Sequence, residues 1–158
     1  MYKTNVMRIL DNTKVTYKSY SYIDTNAISG AEVAKVLNQN PLQVFKTLVT
    51  TSKTTKKYYV FLTPISSELD LKKAAISVNE KSLEMVKQKE LLNLTGYIHG
   101  GCSPIGMKKF FQTTIDESAQ NFETIIFSAG KIGYQIEISL HELQKVISFT
   151  LSNITKNL

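Results

Sequence analysis

Lys46 lies in a run of apolar and β-branched residues, Val44-Phe45-Lys46-Thr47-Leu48, where a charged side chain is uncommon. The run predicts a β-strand over residues 45–51. In that strand Lys46 shares a face with Leu48, and the residues on either side of Lys46 face the other way. Its ammonium either extends to the edge of the sheet or projects into a cavity, where a lysine binds phosphate as a point charge.

A second candidate is the glycine-rich segment Gly100-Gly101-Cys102-Ser103-Pro104-Ile105-Gly106. Three glycines and a proline in seven residues predict a loop whose backbone N–H groups can converge on an anion or an oxyanion. An ordinary tight connection has the same composition, so both interpretations stay open. The Gly-Lys-Ser/Thr ending of a nucleotide-binding P-loop is absent, which excludes that motif.

Two weaker candidates remain. His99 and Cys102 have the residue types of a nucleophile pair, but two side chains three residues apart in a glycine loop rarely face each other. The segment 128–133 is a hairpin turn by composition, or a second wall of a pocket. The sequence has no signature of paired catalytic carboxylates, a serine nucleophile elbow or a metal-ligand cluster.

Length and composition narrow the class of protein. The 158 residues are 42% hydrophobic and 20% charged, which indicates one globular domain over residues 1–158. The single cysteine excludes an intrachain disulfide and, with two histidines, a Cys/His zinc cage. No apolar run approaches about 18 residues, and the first residues do not resemble a signal peptide, so we expect a cytoplasmic protein.

The net charge of +6 is carried almost wholly by lysine, since Arg8 is the only arginine. Five lysines and no acid occupy residues 33–67, and three of them (Lys53, Lys56 and Lys57) lie in one predicted turn. Such an excess either aids solubility or provides a weak, sequence-tolerant contact with a nucleic-acid backbone. Guanine recognition in contrast prefers arginine.

The elements that would position these residues follow from periodicity and capping signals. Predicted helices begin after Thr4, Ser29, Asp70 and Ser139, and another covers residues 87–94. Glu32 and Glu142 are expected to complete capping boxes with Ser29 and Ser139. We expect Val33, Val36 and Leu37 of the second helix to face the core. Strands are predicted at residues 15–22, 45–51, 57–63, 83–86, 110–115, 124–128 and 134–138. This order indicates an α+β fold with a mixed sheet, open or closed into a barrel.

Several blocks of the chain, in order, resemble the YbaK/EbsC family of bacterial aminoacyl-tRNA deacylases. The segment 40–48 is similar to the family pattern P-x-Q-V-x-K-T-L, and residues 100–106 to its GGxSPxG loop. Further blocks match at residues 63–64, 69–73, 95–97, 115–116, 128–131 and 136–138. The resemblance covers about residues 4–150.

The resemblance implies a mixed, barrel-like α+β fold with one pocket, no cofactor or metal, and hydrolysis of cysteine wrongly attached to tRNA(Pro). By that resemblance, Lys46 anchors the 3′ end of the tRNA, and Gly101 with neighbouring loop N–H groups stabilises the oxyanion. The pocket walls would be formed by Tyr20, Thr47, Gly100, Ser103, Pro104, Ser128 and Gly130. We further expect a monomer with prolyl-tRNA synthetase as a partner and no membrane contact. An Ala-tRNA(Pro) or broader deacylase and a non-catalytic tRNA-binding module are the alternatives.

The chain departs from the family pattern at four positions. Ala129 replaces a frequent second glycine, Ile132 a frequent basic residue, and Cys102 a usual aliphatic residue. Gln135 stands where some members have aspartate, so an acidic role is unavailable there. These departures bear on the amino acid that is removed rather than on the fold.

Overall fold

The computed structural model describes residues 2–157, which form eight strands and five α-helices within that range. The strands are β1 (Lys18–Ser21), β2 (Phe45–Thr51), β3 (Tyr58–Pro64), β4 (Glu84–Met85), β5 (Gln112–Asp116), β6 (Ile125–Ser128), β7 (Tyr134–Ile138) and β8 (Thr150–Ser152). The helices are α1 (Asn5–Thr13), α2 (Gly30–Val36), α3 (Leu71–Ser77), α4 (Leu91–Thr95) and α5 (Leu140–Leu143). An α+β fold is therefore confirmed.

The strands form two sheets. The larger has the order β4-β2-β3-β5-β8, with β2 antiparallel to β3 and β4 but β3, β5 and β8 mutually parallel. The smaller is antiparallel with the order β1-β7-β6. The larger sheet confirms the predicted mixed pairing and the β2–β3 hairpin.

The two sheets meet at one parallel bridge between Val44 and Ile126. The N–H of Ile126 donates to the carbonyl of Gln43 at 3.1 Å beside it. Beyond the bridge, no ladder joins β2 and β6 among the described residues. The barrel-like sheet that we expected is thus not confirmed, because a closed barrel needs continuous pairing around its circumference.

The main core lies on the side of both sheets that Phe45 and Phe127 face, and α1 packs there through Val6 and Leu10. The opposite side of the sheets is covered in two places. Helix α3 packs over Phe61 and Leu48, and helix α2 packs through Ala34 over the Val44–Ile126 bridge. Lys46 faces this second side, between the two covered places.

The predicted helix caps explain where most helices begin. The Thr4 hydroxyl accepts from Met7 N at 3.2 Å, and Asp70 accepts from the first N–H groups of α3. Ser29 and Glu32 form the predicted capping box of α2. Glycine at residue 96, in the left-handed region, ends α4, and a separate 3₁₀ turn at Gln88–Glu90 precedes that helix.

Three details of the prediction were wrong. Val36 is 54% exposed, because the two turns of α2 bury only the stripe of Val33 and Ala34. Helix α5 has only four residues, whereas the predicted helix extended to Ile147. Ile147 packs against the main core outside the helix, so the apolar spacing reflected burial and not helical structure. Strand β8 was not predicted. No described helix is long and apolar enough to span a bilayer.

Candidate functional site

Lys46 occupies the second position of β2 and is partly buried. Its neighbours in the strand, Phe45 and Val49, belong to the main core, whereas Leu48 packs on the other side with Phe61, as the predicted alternation requires. Within residues 2–157 the Lys46 ammonium makes no ion pair and no hydrogen bond. It is a cation without a bonded counter-charge.

Burial lowers the pKa of Lys46 below its ordinary value, and the nearby carboxylate of Glu68 partly opposes that shift. Desolvation disfavours the charged form, so an anion that reaches the ammonium gains more than it would at a fully hydrated lysine. The position therefore suits a phosphate or another anionic or strongly polar ligand.

The register of the smaller sheet aligns three side chains in one row. Tyr20 pairs with Gln135 across β1 and β7, and Gln135 pairs with Ser128 across β7 and β6. Cross-strand partners project from the same face of a sheet. We refer to Tyr20, Gln135 and Ser128 as the cross-strand row.

The cross-strand row continues toward Lys46 at the junction of the sheets. Val44 and Ile126 form the parallel bridge, and Lys46 and Ser128 each lie two residues further along. Because side chains alternate with a period of two, Lys46 and Ser128 face the same side as the bridge. The fold thus brings Lys46, Ser128 and Tyr20, three of the predicted site residues, to one face.

Tyr20 is held by a carboxylate. Its hydroxyl donates to Glu137, and the other carboxylate oxygen of Glu137 accepts from Thr124 Oγ1 at 2.5 Å. Gln43 Nε2 donates in turn to Thr124. The bond to Glu137 and burial raise the pKa of Tyr20 to about 12, so the phenol stays protonated at neutral pH.

Sequence reasoning missed Glu137, Thr124 and Gln43 as partners of the site. The signal that could have found Glu137 is the alternation in Tyr134–Ile138, where Gln135 and Glu137 oppose two buried isoleucines. Polar residues at alternate positions of an otherwise apolar strand share a face. No local pattern marks Thr124 or Gln43.

The glycine loop lies against the turn between β6 and β7. A Cβ built on Gly101 would stand 3.2 Å from Ile132 N, so a larger residue would displace backbone. The Gly101 N–H donates to the Ile98 carbonyl at 3.0 Å. The N–H groups of Cys102 and Ser103, like those of Gly100 and Gly106, donate to no other residue within 2–157, so they are loop donors left for a ligand.

The β6–β7 turn is fixed by Gly130. Its N–H donates to Ser128 Oγ at 3.1 Å, and its φ of 88° is in the left-handed region. A Cβ there would approach both Tyr97 Cε1 and Val6 Cγ2 to 2.9 Å. The Tyr97 hydroxyl donates to the Ile105 carbonyl at 2.6 Å, which joins the turn and the glycine loop through one buried side chain.

The surroundings of three other predicted site residues differ from those of Lys46. Thr47 projects from the opposite face of β2 from Lys46, and its Oγ1 is buried without a partner among the described residues. Ser103 is fully buried, and its hydroxyl accepts from Ile105 N at 3.3 Å. Pro104 lines a cavity of about 170 Å³ beside Phe110 and neither Lys46 nor Tyr20. Thr47 is therefore excluded from the Lys46 face, and no hydrogen bond among the described residues joins Ser103 to Lys46 or to Tyr20.

Cys102 is buried, whereas His99 is exposed, and no hydrogen bond joins them. Burial raises the pKa of the Cys102 thiol to about 11, which the hydroxyl of Thr95 only partly offsets. The thiol is therefore protonated at neutral pH and is a poor nucleophile. Residues 2–157 contain no group of three or more His, Cys, Asp or Glu side chains arranged to hold a metal ion.

The lysines of the β2–β3 turn lie at the far end of β2 from Lys46. Lys53, Lys56 and Lys57 are exposed, and Lys53 pairs with Glu84 at 3.4 Å. At about 3.3 Å per residue, the strand separates this turn from Lys46 by roughly 20 Å. A ligand that contacts both must be larger than an amino acid.

Comparison with known proteins identifies the family. A family model described as an aminoacyl-tRNA editing domain matches residues 25–146. The chain belongs to the aminoacyl-tRNA editing domain family. It is also 43% identical over 154 residues to EbsC of Enterococcus faecalis, named as a candidate Cys-tRNA(Pro)/Cys-tRNA(Cys) deacylase, a match that covers 97% of this chain and 93% of EbsC. The resemblance to the YbaK/EbsC family is thereby confirmed.

Solved structures share the fold of this editing domain. The hypothetical protein APE2540 is 17% identical, with a TM-score of 0.87 over 97% of this chain and all of its own. A structure described as a candidate trans-editing enzyme for prolyl tRNA synthetase is 19% identical, with a TM-score of 0.82 over 99% of this chain and all of its own. At such identities the two matches support the architecture alone.

Proposed function

We propose that this editing domain is an aminoacyl-tRNA deacylase that hydrolyses Cys-tRNA(Pro). The observation that carries the proposal is Lys46, a partly buried ammonium that makes no ion pair and no hydrogen bond within residues 2–157 and lies next to the cross-strand row. Family membership and the 43% identity to EbsC supply the substrate class. Cysteine and proline are similar in size, so a synthetase pocket separates them by only about 1–3 kcal/mol and a second, hydrolytic check is useful.

Lys46 anchors the 3′ end of the tRNA in this proposal. A terminal phosphate or a ribose hydroxyl supplies the acceptor that the ammonium lacks in the protein. Anchoring there fixes the ester relative to the glycine loop and to Tyr20, which bounds the space for the amino acid. Gly100, Ser128 and Gly130 shape the nearby walls, while roles for Thr47, Ser103 and Pro104 remain predictions.

The glycine loop stabilises the oxyanion that develops on the ester carbonyl. Because the Gly101 N–H already donates to Ile98, the free N–H groups of Cys102 and Ser103 are the better donors, with Gly101 admitting close approach. Loss of one such donor costs roughly 3–4 kcal/mol of transition-state stabilisation in other hydrolases.

The substrate supplies the nucleophile. The cysteine sulfur attacks its own ester carbonyl carbon, so a C–S bond forms, the ester C–O bond breaks, and the thiol proton passes to the 3′ oxygen of the ribose. Water then opens the cyclic thioester to free cysteine. The buried, protonated Cys102 leaves no competing protein thiol at this site. Alanine and serine cannot follow this route, because neither carries sulfur.

The proposal also includes how the tRNA arrives. The turn lysines at the other end of β2 attract the acceptor-stem backbone, and prolyl-tRNA synthetase delivers the mischarged tRNA to a monomeric, cytoplasmic editing domain. A relative of the same fold is described as a trans-editing enzyme for prolyl tRNA synthetase, and the resemblance to the YbaK/EbsC family motivates the synthetase as partner here.

A panel of tRNA(Pro) charged with cysteine, alanine or serine tests the proposal. We expect hydrolysis of the cysteinyl ester by wild type and loss of at least 10²-fold in Lys46→Ala. Equal hydrolysis of Ala-tRNA(Pro) would overturn the substrate-thiol route in favour of a broader deacylase. Binding without turnover, weakened by Lys46→Ala, would instead show a non-catalytic tRNA-binding module.

A further inference from the structure

Gln135 is a polar side chain in the middle of the cross-strand row, and only 6% of it is exposed. Its Oε1 accepts from Gln39 Nε2 at 2.8 Å. Gln39 follows α2 and reaches β7 from another element, so this bond fixes how the Gln135 amide is turned. The Oε1 atom of Gln135 is hydrogen-bonded within the protein, whereas its Nε2 atom is not.

The Nε2 group of Gln135 donates to no residue within 2–157. The Nε2 atom of Gln135 is in contact with solvent, whereas the Oε1 atom of Gln39 is buried and has no hydrogen-bond partner among the described residues. The small exposed part of Gln135 therefore includes its donor group, Nε2. Among the described residues only water or a ligand can accept from this donor, which suits the position to a ligand acceptor.

The direction of that donor follows from the register. Gln135 lies between Tyr20 and Ser128, and Ser128 adjoins Lys46 across the Val44–Ile126 junction. The β6–β7 turn that ends at Tyr134 also carries Ile132, on which Gly101 packs. The amide N–H thus lies on the face that carries the proposed anchor of the tRNA, in the strand that follows the turn on which the proposed oxyanion loop packs.

We infer that Gln135 is a catalytic residue whose Nε2 donates a hydrogen bond to the ester carbonyl oxygen of the aminoacyl-tRNA. Side-chain amides serve as oxyanion donors alongside backbone N–H groups in other hydrolases. Because the Gly101 N–H donates to the Ile98 carbonyl, it is not available to the oxyanion, and a side-chain donor can take that place. Gln39 is its positioning residue. This inference rests on the proposed function.

Removing the donor without changing the size of the side chain is the first test. For Gln135→Met we expect kcat on Cys-tRNA(Pro) to fall on the order of 10²-fold with little change in KM, because an oxyanion donor acts mainly in the transition state. The positioning variant Gln39→Met should lose less. A folded Gln135→Met enzyme with kcat within threefold of wild type would overturn the inference.

The second test uses Gln135→Glu, which keeps the shape and has a donor only when protonated. Burial raises the pKa of a carboxyl group at this position, so the ratio of variant to wild-type kcat should rise as the pH is lowered from 8 to 5.5. Taking the ratio removes the pH dependence that the two proteins share, including that of Tyr20 and Lys46, which face the same side as Gln135 and Glu137. A ratio independent of pH would contradict a donor role and indicate a structural one.

The two proposals fail in different ways. A wild type that releases no cysteine from Cys-tRNA(Pro) refutes the proposed function. An active wild type whose Gln135 variants are equally active refutes the role of Gln135 alone. Circular dichroism establishes folding, and if Gln135→Met does not fold, the pH series of Gln135→Glu decides.

Discussion

The Tyr20 hydroxyl donates its proton to Glu137, so toward the candidate site it can offer only the lone pairs of its oxygen. For Glu137→Gln we expect the pKa of Tyr20 to fall from about 12 toward its usual range, since an adjacent carboxylate no longer disfavours the phenolate. The tyrosinate absorbance in an alkaline titration, with Tyr20→Phe to assign the transition, measures this shift.

Thr124→Val is the matched control for that titration. It removes the hydrogen bond to the other carboxylate oxygen of Glu137 and leaves the acceptor of Tyr20 in place. The Tyr20 transition should then stay near 12. A Glu137→Gln protein that titrates like wild type would show that the Tyr20–Glu137 contact does not set this pKa.

Gly130→Ala should destabilise the fold by about 2–4 kcal/mol. The substitution combines the strain of an alanine in the left-handed region with a Cβ only 2.9 Å from Tyr97 and Val6. Gly100→Ala is the matched control, because Gly100 has the same φ of 88° but its Cβ would lie 3.7 Å from Ile132. For Gly100→Ala we expect the free energy of unfolding, measured by urea titration, to fall by about 1–2 kcal/mol. Equal losses in the two variants would mean that Tyr97 and Val6 move aside at no cost in free energy.

The triple variant Lys53→Gln, Lys56→Gln, Lys57→Gln should weaken tRNA binding more than it slows the chemical step. Each phosphate contact adds about 0.7–0.9 to the dependence of log K on log salt concentration, so the slope should decrease by roughly 2. Filter binding at several salt concentrations and single-turnover deacylation separate the two effects. Lys14→Gln, an exposed lysine with φ like that of Lys56, is the single-charge control. An unchanged slope would exclude these lysines from the tRNA path.

Local sequence signals predicted the environment of Lys46 well. Alternation around Lys46 placed its side chain opposite Phe45, and Thr4, Ser29 and Asp70 began helices as their capping chemistry requires. Each of these features depends on residues within a few positions of one another. The glycine-rich segment was likewise recognised as a loop from its composition.

Contacts between distant segments were not predictable in the same way. Strand β8 has three residues and pairs with β5, 36 positions earlier, so it carries too few residues to show a period. The hydrogen bonds of Gln135 to Gln39 and of Tyr20 to Glu137 span 96 and 117 positions. Likewise Glu142 completes no capping box, because its carboxylate accepts from Thr16 N at 2.8 Å. Which polar side chains meet depends on how the two sheets join, and periodicity does not encode that.

Cys102→Ala should retain wild-type deacylation of Cys-tRNA(Pro) at neutral pH. The Cys102 thiol is buried and its pKa is raised to about 11, so it supplies no thiolate under those conditions. The measurement is kcat and KM for both proteins on one preparation of charged tRNA. Loss of activity in a folded variant would indicate that the nucleophile is the protein thiol and not the substrate thiol, and it would contradict the substrate-thiol route.

The same substitution should remove a sensitivity to alkali. The unfolded thiol loses its proton near pH 9, whereas the folded one holds it until about pH 11, so rising pH favours the unfolded wild type within that window. Between pH 8 and pH 10 the free energy of unfolding should fall by about 1 kcal/mol more in wild type than in Cys102→Ala. Burial, the larger cause of the raised Tyr97 pKa of about 12, is present in both proteins and cancels in the difference. Urea titrations of both proteins at the two pH values measure this difference in the free energy of unfolding. Identical decreases in the two proteins would mean that Cys102 ionises as readily in the folded state as in the unfolded chain.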